Sequence, residues 1–332
     1  MEYSLPAIVC NCRRWQAGLA PIPYYLYNLK VITKYTFKKL TWIDLESPSK
    51  DEVASVVDTF DLPPLVGDEM LSKTLRSKVD RYDDVIYLIL HFPVRHKDGK
   101  IREEEVDFVI GKEFLITTHY GKLEAIKNFA DLFEKDSRLE KRNESEHAGF
   151  LFFHLINELY RDTLGELDRE NDKIREIEHL IFSAREEKTV ELISESNRVL
   201  LDFKQSLRFH KEILRSFEVA CQGFFGPGFL FYIHSIISEY NKTENLLNGN
   251  KEILDDLRIT NDSLLTAHTN DTIKKLTVMT FIMLPLTLVT GIFGMNIAFD
   301  VIENEADFMI VLAGMMVIAM FMYIYFRKKK WF

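Results

Sequence analysis

Two stretches near the C-terminus carry no charged side chain: Leu276 to Phe299 (LTVMTFIMLPLTLVTGIFGMNIAF), bracketed by Lys275 and Asp300, and Phe308 to Phe326 (FMIVLAGMMVIAMFMYIYF). A helix rises about 1.5 Å per residue and the hydrocarbon core of a bilayer is about 30 Å thick, so roughly 20 apolar residues span it. Both stretches reach that length. The competing reading, a pair of buried core helices, ordinarily brings a polar stripe bearing charge along each helix. The chain as a whole is 47% hydrophobic and 28% charged, which would suit a soluble protein if the apolar residues were evenly spread. Their concentration predicts a largely non-membrane chain with a C-terminal hairpin of two spans, set apart from a signal peptide by its position.

The flanking charges predict orientation. Lys274 and Lys275 precede the first span, Arg327, Lys328, Lys329 and Lys330 follow the second, and the loop between carries Asp300, Glu303, Glu305 and Asp307 with no base. The positive-inside rule then expects a multi-pass protein of the plasma membrane with both termini cytoplasmic. Cys10, Cys12 and Cys221 fit that reducing side, and the C-x-C pair reads as idle thiols ahead of a metal or redox site. A net charge of −9 disfavours a nucleic-acid partner.

The expected fold class is α+β. Residues 1–30, with Pro6, Pro21 and Pro23 and no clear period, read as a poorly ordered extension. Residues 31–122 read as an α/β domain: LHFPVRHKDGKIREEEVDFVIGKEFLITTHY alternates and turns at Asp98-Gly99 and Gly111-Lys112, as antiparallel strands do. Ser49 with Glu52 forms a capping-box pattern before an apolar helical face. Residues 123–228 read as helices, with a turn near Glu186-Glu187 and a break at Gly223 to Phe229. From 230 to 296 one helix is expected to run on the order of 60 Å and continue into the first span, at about 276–296. An outer acidic loop (297–307), the second span (308–326) and a basic tail (327–332) complete the chain. A helix this long needs partners along its length, and identical copies are the expected ones.

Phe293-Gly294-Met295-Asn296 stands at the outer end of the first span, and the chain ends Phe326-Arg327-Lys328-Lys329-Lys330-Trp331-Phe332. With the block MLPLTLVTGIFGMN, this resembles the CorA family of magnesium channels, whose signature is an aromatic-Gly-Met-Asn sequence closing the first of two C-terminal membrane helices ahead of a short acidic loop. The resemblance extends more loosely to residues 40–120 and the helices beyond. It implies passive transport of hydrated Mg²⁺ through a homo-oligomeric, pentameric funnel in the bilayer, with no catalysis and no cofactor. Co²⁺ and Ni²⁺ are further candidates.

The chemistry of the motif has its own rationale. Mg²⁺ sheds its water reluctantly, so a fast pore should hold the hydrated ion. Asn296 offers a neutral carbonyl oxygen, and a ring of these could bond the water shell without the grip of a carboxylate ring; capping of the helix end is a compatible role. Gly294 and Gly291 would let backbones approach or the helix end turn, and Met295 completes the expected filter. One chain with two spans cannot surround a pore, so copies must assemble; only the resemblance supplies the number five. If Asn296 faces the axis, helical spacing brings Gly291 or Thr290, then Thr287, Leu284, Thr280 and Leu276 or Ile273 to the same side. The match to family pore positions selects Thr287, Leu284, Thr280, Leu276 and Ile273. The threonines can contact a hydrated ion or bond their own backbone, while the leucines and isoleucine would form apolar collars.

Asp300, Glu303 and Glu305 would raise the local cation concentration at the outer mouth. The resemblance also implies that intracellular Mg²⁺ regulates the pore by bridging acids between cytoplasmic domains. The family's usual acid positions fall near Arg95 and Ser235, which cannot ligate Mg²⁺; Asp98, Glu103, Glu104, Glu105 and Glu239 are the substitutes. No H-E-x-x-H, Walker A, G-x-S-x-G or C-x₂-C motif supports an enzyme or an ATP-driven pump. A Zn²⁺ or other transition-metal transporter of the same superfamily is the alternative, against which the intact Met295 speaks. A membrane-tethered oligomeric scaffold is the second.

Overall fold

The computed structural model describes residues 32–37, 39–74, 76–135, 147–183, 186–295, 305–329 and 331. The expectations for residues 1–30, Cys10, Cys12, Asn296, Asp300 and Glu303 lie outside them.

The predicted antiparallel run is present. Strands β4 (Ile86–Arg95) and β5 (Ile101–Ile110) pair antiparallel from Ile86↔Ile110 to Arg95↔Ile101. Their turn needs a left-handed residue, supplied by Gly99 at φ +79°, and the Asp98 carboxylate accepts the Lys100 N–H at 3.1 Å. At the next turn Gly111 N–H donates to Phe114 O at 2.9 Å, leading into β6 (Phe114–His119). Two strands were not evident in the sequence pattern, β1 (Ile32–Phe37) and β3 (Lys78–Arg81), while β2 (Leu40–Glu46) falls on the short apolar run FKKLTWIDL. The six-stranded sheet has the order β1-β2-β6-β5-β4-β3, with β2 parallel to β6 and the other neighbours antiparallel.

Side chains alternate across a strand, so each strand serves two layers. On one face Ile43, Leu45, Tyr87, Ile89, Val109 and Ile116 pack with Val53 and Val56 of α1 (Lys50–Phe60) and Val66 of α2 (Pro64–Glu69). The α1 capping box is formed: Ser49 Oγ accepts the Glu52 N–H at 3.3 Å, and Glu52 Oε2 accepts the Ser49 N–H at 2.7 Å. On the other face Phe108 meets Phe152 edge-on at 5.2 Å and Phe92 meets Tyr160 at 5.4 Å.

Helices follow: α3 (Glu124–Lys135), α4 (Gly149–Phe182), α5 (Glu186–Ser206) and α6 (His210–Phe225). The interruption between α5 and α6 has no proline or glycine to announce it, and Glu186 and Glu187, where a turn was expected, are the first residues of helix α5. The expected break after Gly223 is centred on Gly226, at φ +84°, followed by a short 3₁₀ turn over Pro227–Phe229. Helix α7 then runs unbroken from Leu230 to Phe293, with Pro285 inside it, and α8 covers Glu305–Lys328.

The chain divides into two compact units. One is built from the residues up to Asp168 with Leu201–Leu247, the other from Arg169–Leu200 with the residues from Asn248 onward. In the first, the buried His210 ring lies between Tyr160 Oη, 2.8 Å from Nδ1, and His91 O, 2.9 Å from Nε2, and burial holds it neutral with a pKa of about 3. In the second, Thr189 Oγ donates to Asn261 Oδ1 at 2.8 Å and Lys251 to Asn197 Oδ1 at 2.7 Å.

Candidate ion pathway

A core helix hides its apolar residues. The spans here do not: 6% of the most apolar window of the first and none of that of the second is buried, at mean hydropathies of 2.1 and 2.3. Such length and exposure suit lipid and neighbouring helices better than water.

Ile273, Leu276, Thr280, Leu284, Thr287 and Gly291 all lie on α7. At 100° per residue they fall within a sector of about 80°, so a single face presents them all. Each is exposed, Leu276 at 64% and Leu284 at 60%. Val278, on the opposite side of the helix, is fully buried. A shallow groove of about 400 Å³ runs along this exposed face, lined by Leu284, Thr287, Leu288, Gly291, Ile292 and Met295. Leu288 and Ile292 are additions to the expected row. They sit one position beyond Thr287 and Gly291, a shift that the helical period alone could have suggested.

The threonines show the backbone-bonding role. Thr280 Oγ lies 2.9 Å from Leu276 O and Thr287 Oγ 2.9 Å from Met283 O. A carbonyl cannot donate, so each hydroxyl proton is committed to its own helix. What each hydroxyl still presents outward is lone pairs. The water shell of a cation points its hydrogens outward, so an exposed wall of acceptors is the complement it needs. Pro285, lacking an N–H, also leaves the Phe281 carbonyl without its usual i+4 donor.

At the end of α7 the helix closes with Gly294 N–H to Thr290 O at 2.9 Å and Met295 N–H to Ile292 O at 3.3 Å. A Cβ at Gly294 would stand 3.2 Å from Thr290 O, a backbone atom that cannot swing aside, whereas a Cβ at Gly291 would meet nothing within 4 Å. Of these two glycines, only Gly294 meets a steric restriction within one chain. Glu305 opens α8.

The acids considered for regulation are each engaged locally. Asp98 pairs with Arg102 at 2.5 Å, and the Lys100 N–H followed by the Arg102 charge hold its carboxyl below the usual range. Glu104, 6% exposed, holds Lys73 Nζ and His96 Nε2, both at 3.0 Å. Glu105, 2% exposed, accepts the Thr74 N–H at 2.6 Å and lies 3.4 Å from His91 Nε2. Burial pulls the His91 pKa down, but Glu105, the Thr74 carbonyl and Glu103 together outweigh it and the net shift is upward. Glu103 is 3.9 Å from His91 Nε2, and Glu239 pairs with Lys242 at 2.6 Å. Among the described residues of one chain, no three His, Cys, Asp or Glu side chains converge to hold a metal ion. Arg95 binds Glu166 at 2.6 Å and Gly99 O at 2.9 Å. Burial pushes the Cys221 thiol up, which makes it a poor nucleophile.

Comparison with known proteins gives this arrangement a family. Residues 37–328 match the family model described as CorA-like Mg²⁺ transporter protein. The chain is 24% identical over 298 residues to the cobalt/magnesium transport protein CorA of Thermotoga maritima, covering 88% of this chain and 83% of that one. It is 25% identical over 301 residues to the protein of the same name from Methanocaldococcus jannaschii, covering 88% and 92%. The complete structure of the CorA magnesium transporter from Methanocaldococcus jannaschii superposes with a TM-score of 0.77 at 22% identity, over 90% of this chain and 94% of that one. With a family match that spans five of the six strands, the helices and both spans, the chain belongs to the CorA-like Mg²⁺ transporter family.

Proposed function

We propose that this chain assembles with copies of itself, five in number, into a pore that conducts hydrated Mg²⁺ across the plasma membrane, with Asn296 ringing its outer mouth and both termini in the cytoplasm. The observation that carries the reading is the exposed face of α7, where Thr280 and Thr287 turn acceptors outward between the apolar collars of Ile273, Leu276 and Leu284. A single chain leaves this face uncovered, and a ring of copies would enclose it. Gly291, open within the chain, gives neighbouring backbones room to approach.

Each part of the wall has a task. The neutral oxygens of Asn296, Thr287 and Thr280 receive the shell's hydrogens without stripping its water. Apolar rings at Leu284, Leu276 and Ile273 stop conduction when they close enough to expel water. Asp300, Glu303 and Glu305 concentrate cations at the mouth. The driving force is the inside-negative potential, about 4.6 kcal/mol for two charges crossing 100 mV, with no ATP site needed. Co²⁺ and Ni²⁺ pass by the same wall. Intracellular Mg²⁺ closes the pore through acids, Asp98, Glu103 and Glu239 among them, that meet only when copies are side by side.

The test is Mg²⁺ uptake into proteoliposomes under an imposed potential, with cobalt hexammine as a hydrated-ion mimic. Asn296→Ala is expected to abolish both uptake and hexammine block. Unchanged flux in Asn296→Ala would remove the Asn ring and favour a membrane-tethered scaffold, and Zn²⁺ uptake without Mg²⁺ uptake would move the protein to the transition-metal branch.

A further inference from the structure

At the end of the spans opposite the Gly294 turn, Phe281 of α7 packs on Phe326 of α8 with ring centroids 6.2 Å apart. The chain beyond α8 then folds back: Trp331 N–H donates to Phe326 O at 3.2 Å, and the indole lies 5.9 Å from the Phe326 ring. Phe281, Phe326 and Trp331 thus form one aromatic layer across both spans, and of the three the amphipathic Trp331 indole is the ring suited to the boundary where hydrocarbon meets headgroups.

Basic residues gather just beyond that layer from both helices. Lys275 precedes Phe281 by about 9 Å of helix, and Lys329 follows Phe326 by about 4.5 Å. Lys275 is already paired with Asp271 at 2.7 Å. Arg327, Lys328 and Lys329 are exposed, and no carboxylate among the described residues pairs with any of them. Lys329 Nζ stands 5.9 Å from the Tyr325 ring, a weak contact that leaves its donors free. An unpaired cation in water needs no explanation. Three in succession beside a folded-back indole form a compact cationic patch.

We propose that the Phe281–Phe326–Trp331 layer and Arg327, Lys328 and Lys329 bind the headgroup of an anionic phospholipid in the leaflet at the basic end of the spans. The proposal rests on the spans crossing a bilayer and is independent of which ion the pore carries. The indole sets the depth, and the three cations select an anionic lipid over a zwitterionic one, each worth about fivefold at the surface.

Trp331 is itself the reporter. The full chain is placed in nanodiscs of phosphatidylcholine doped with an equal mole fraction of brominated phosphatidylglycerol or brominated phosphatidylcholine. Quenching is read after subtraction of Trp331→Phe, which removes the signal of the other tryptophans. The expected result is quenching by brominated phosphatidylglycerol several-fold stronger than by brominated phosphatidylcholine. The preference is expected to fall to near unity in R327Q/K328Q/K329Q and to be retained in R327K/K328R/K329R, which separates charge from folding. Equal quenching by the two lipids in the wild-type chain overturns the proposal. So does a Trp331 response to inorganic phosphate in pure phosphatidylcholine discs that matches the phosphatidylglycerol effect, which would assign the site to a free anion. Neither outcome bears on Mg²⁺ uptake, which is measured separately.

Discussion

Replacing Thr287 by valine separates the acceptor wall from the shape of the helix. Valine keeps the β-branch and nearly the volume of threonine, and the two have similar helix propensities. The hydroxyl's donation to Met283 O is a bifurcated addition to the helix ladder, so its loss costs the helix little. What disappears is a pair of lone pairs on the exposed face. A hydrogen bond involving a charged or strongly polarised partner contributes about 1.5 kcal/mol. With two copies touching the water shell at once, the barrier for a hydrated ion rises by about 3 kcal/mol, and at 1.36 kcal/mol per tenfold the rate falls on the order of 100-fold. Thr287→Ser retains the lone pairs and is expected within a few-fold of wild type. The assay is dye-reported Mg²⁺ uptake in proteoliposomes under a fixed potential, with chromatography showing that each variant assembles as wild type does. Wild-type flux in a correctly assembled Thr287→Val would refute the acceptor argument, because no other property of the side chain changes enough to matter.

Gly294→Ala pushes a Cβ to 3.2 Å from Thr290 O and is expected to cut Mg²⁺ flux at least tenfold by reshaping the turn, while Gly291→Ala, open within the chain, should impair assembly and be seen by chromatography. Ser49→Ala deletes half of the capping box and should lower stability by about 1 kcal/mol in urea unfolding of the full chain in detergent, with flux unchanged where the protein is folded. His119 offers a pH test: burial pulls its pKa down, but Asp44, 3.3 Å away, with the Gly121 carbonyl and Glu46, outweighs it and the net shift is upward. A raised folded pKa stabilises fully below the unfolded value of about 6.5 and is lost as pH rises through the folded value. Amide exchange in β6, corrected for intrinsic rate, should therefore show greater protection at the acid end of that window, and Asp44→Asn should shrink or reverse the difference.

The spans were legible because their signal is compositional: length without charge is enough. The β4–β5–β6 meander was legible because Gly99 and Gly111 punctuate alternating runs. The parallel pairing of β2 with β6 was not, since it joins residues more than seventy apart, Trp42 Nε1 to Thr117 Oγ at 3.0 Å among them, and nothing local encodes it. The interruption after Ser206 was hidden for a different reason. His210 must leave the helix line to reach Tyr160 and His91, a tertiary demand with no breaker residue to announce it. The acceptor row on α7 followed from helical spacing together with family resemblance, but the direction of each Thr proton did not, because sequence cannot say which carbonyl a hydroxyl has chosen. The acids considered for regulation were the least legible: Glu104 and Glu105 are adjacent in sequence yet face opposite sides of β5, each with its own basic neighbour.

If the exposed face of α7 lines the proposed pore, the commitment of the Thr280 and Thr287 protons to Leu276 O and Met283 O has a consequence for what that wall refuses. Chloride orders its surrounding water with oxygens outward, so at these rings it would present lone pairs to lone pairs and find no hydrogen to take. Sodium stripped of part of its shell would meet oxygens too few and too widely set to replace what it gave up. A surface of this kind discriminates by the orientation of water and needs no fixed charge to exclude an anion. Any substitution that returns a free N–H or O–H to the face, a lysine or an asparagine turned the other way, should blunt that polarity before it changes the width of the passage.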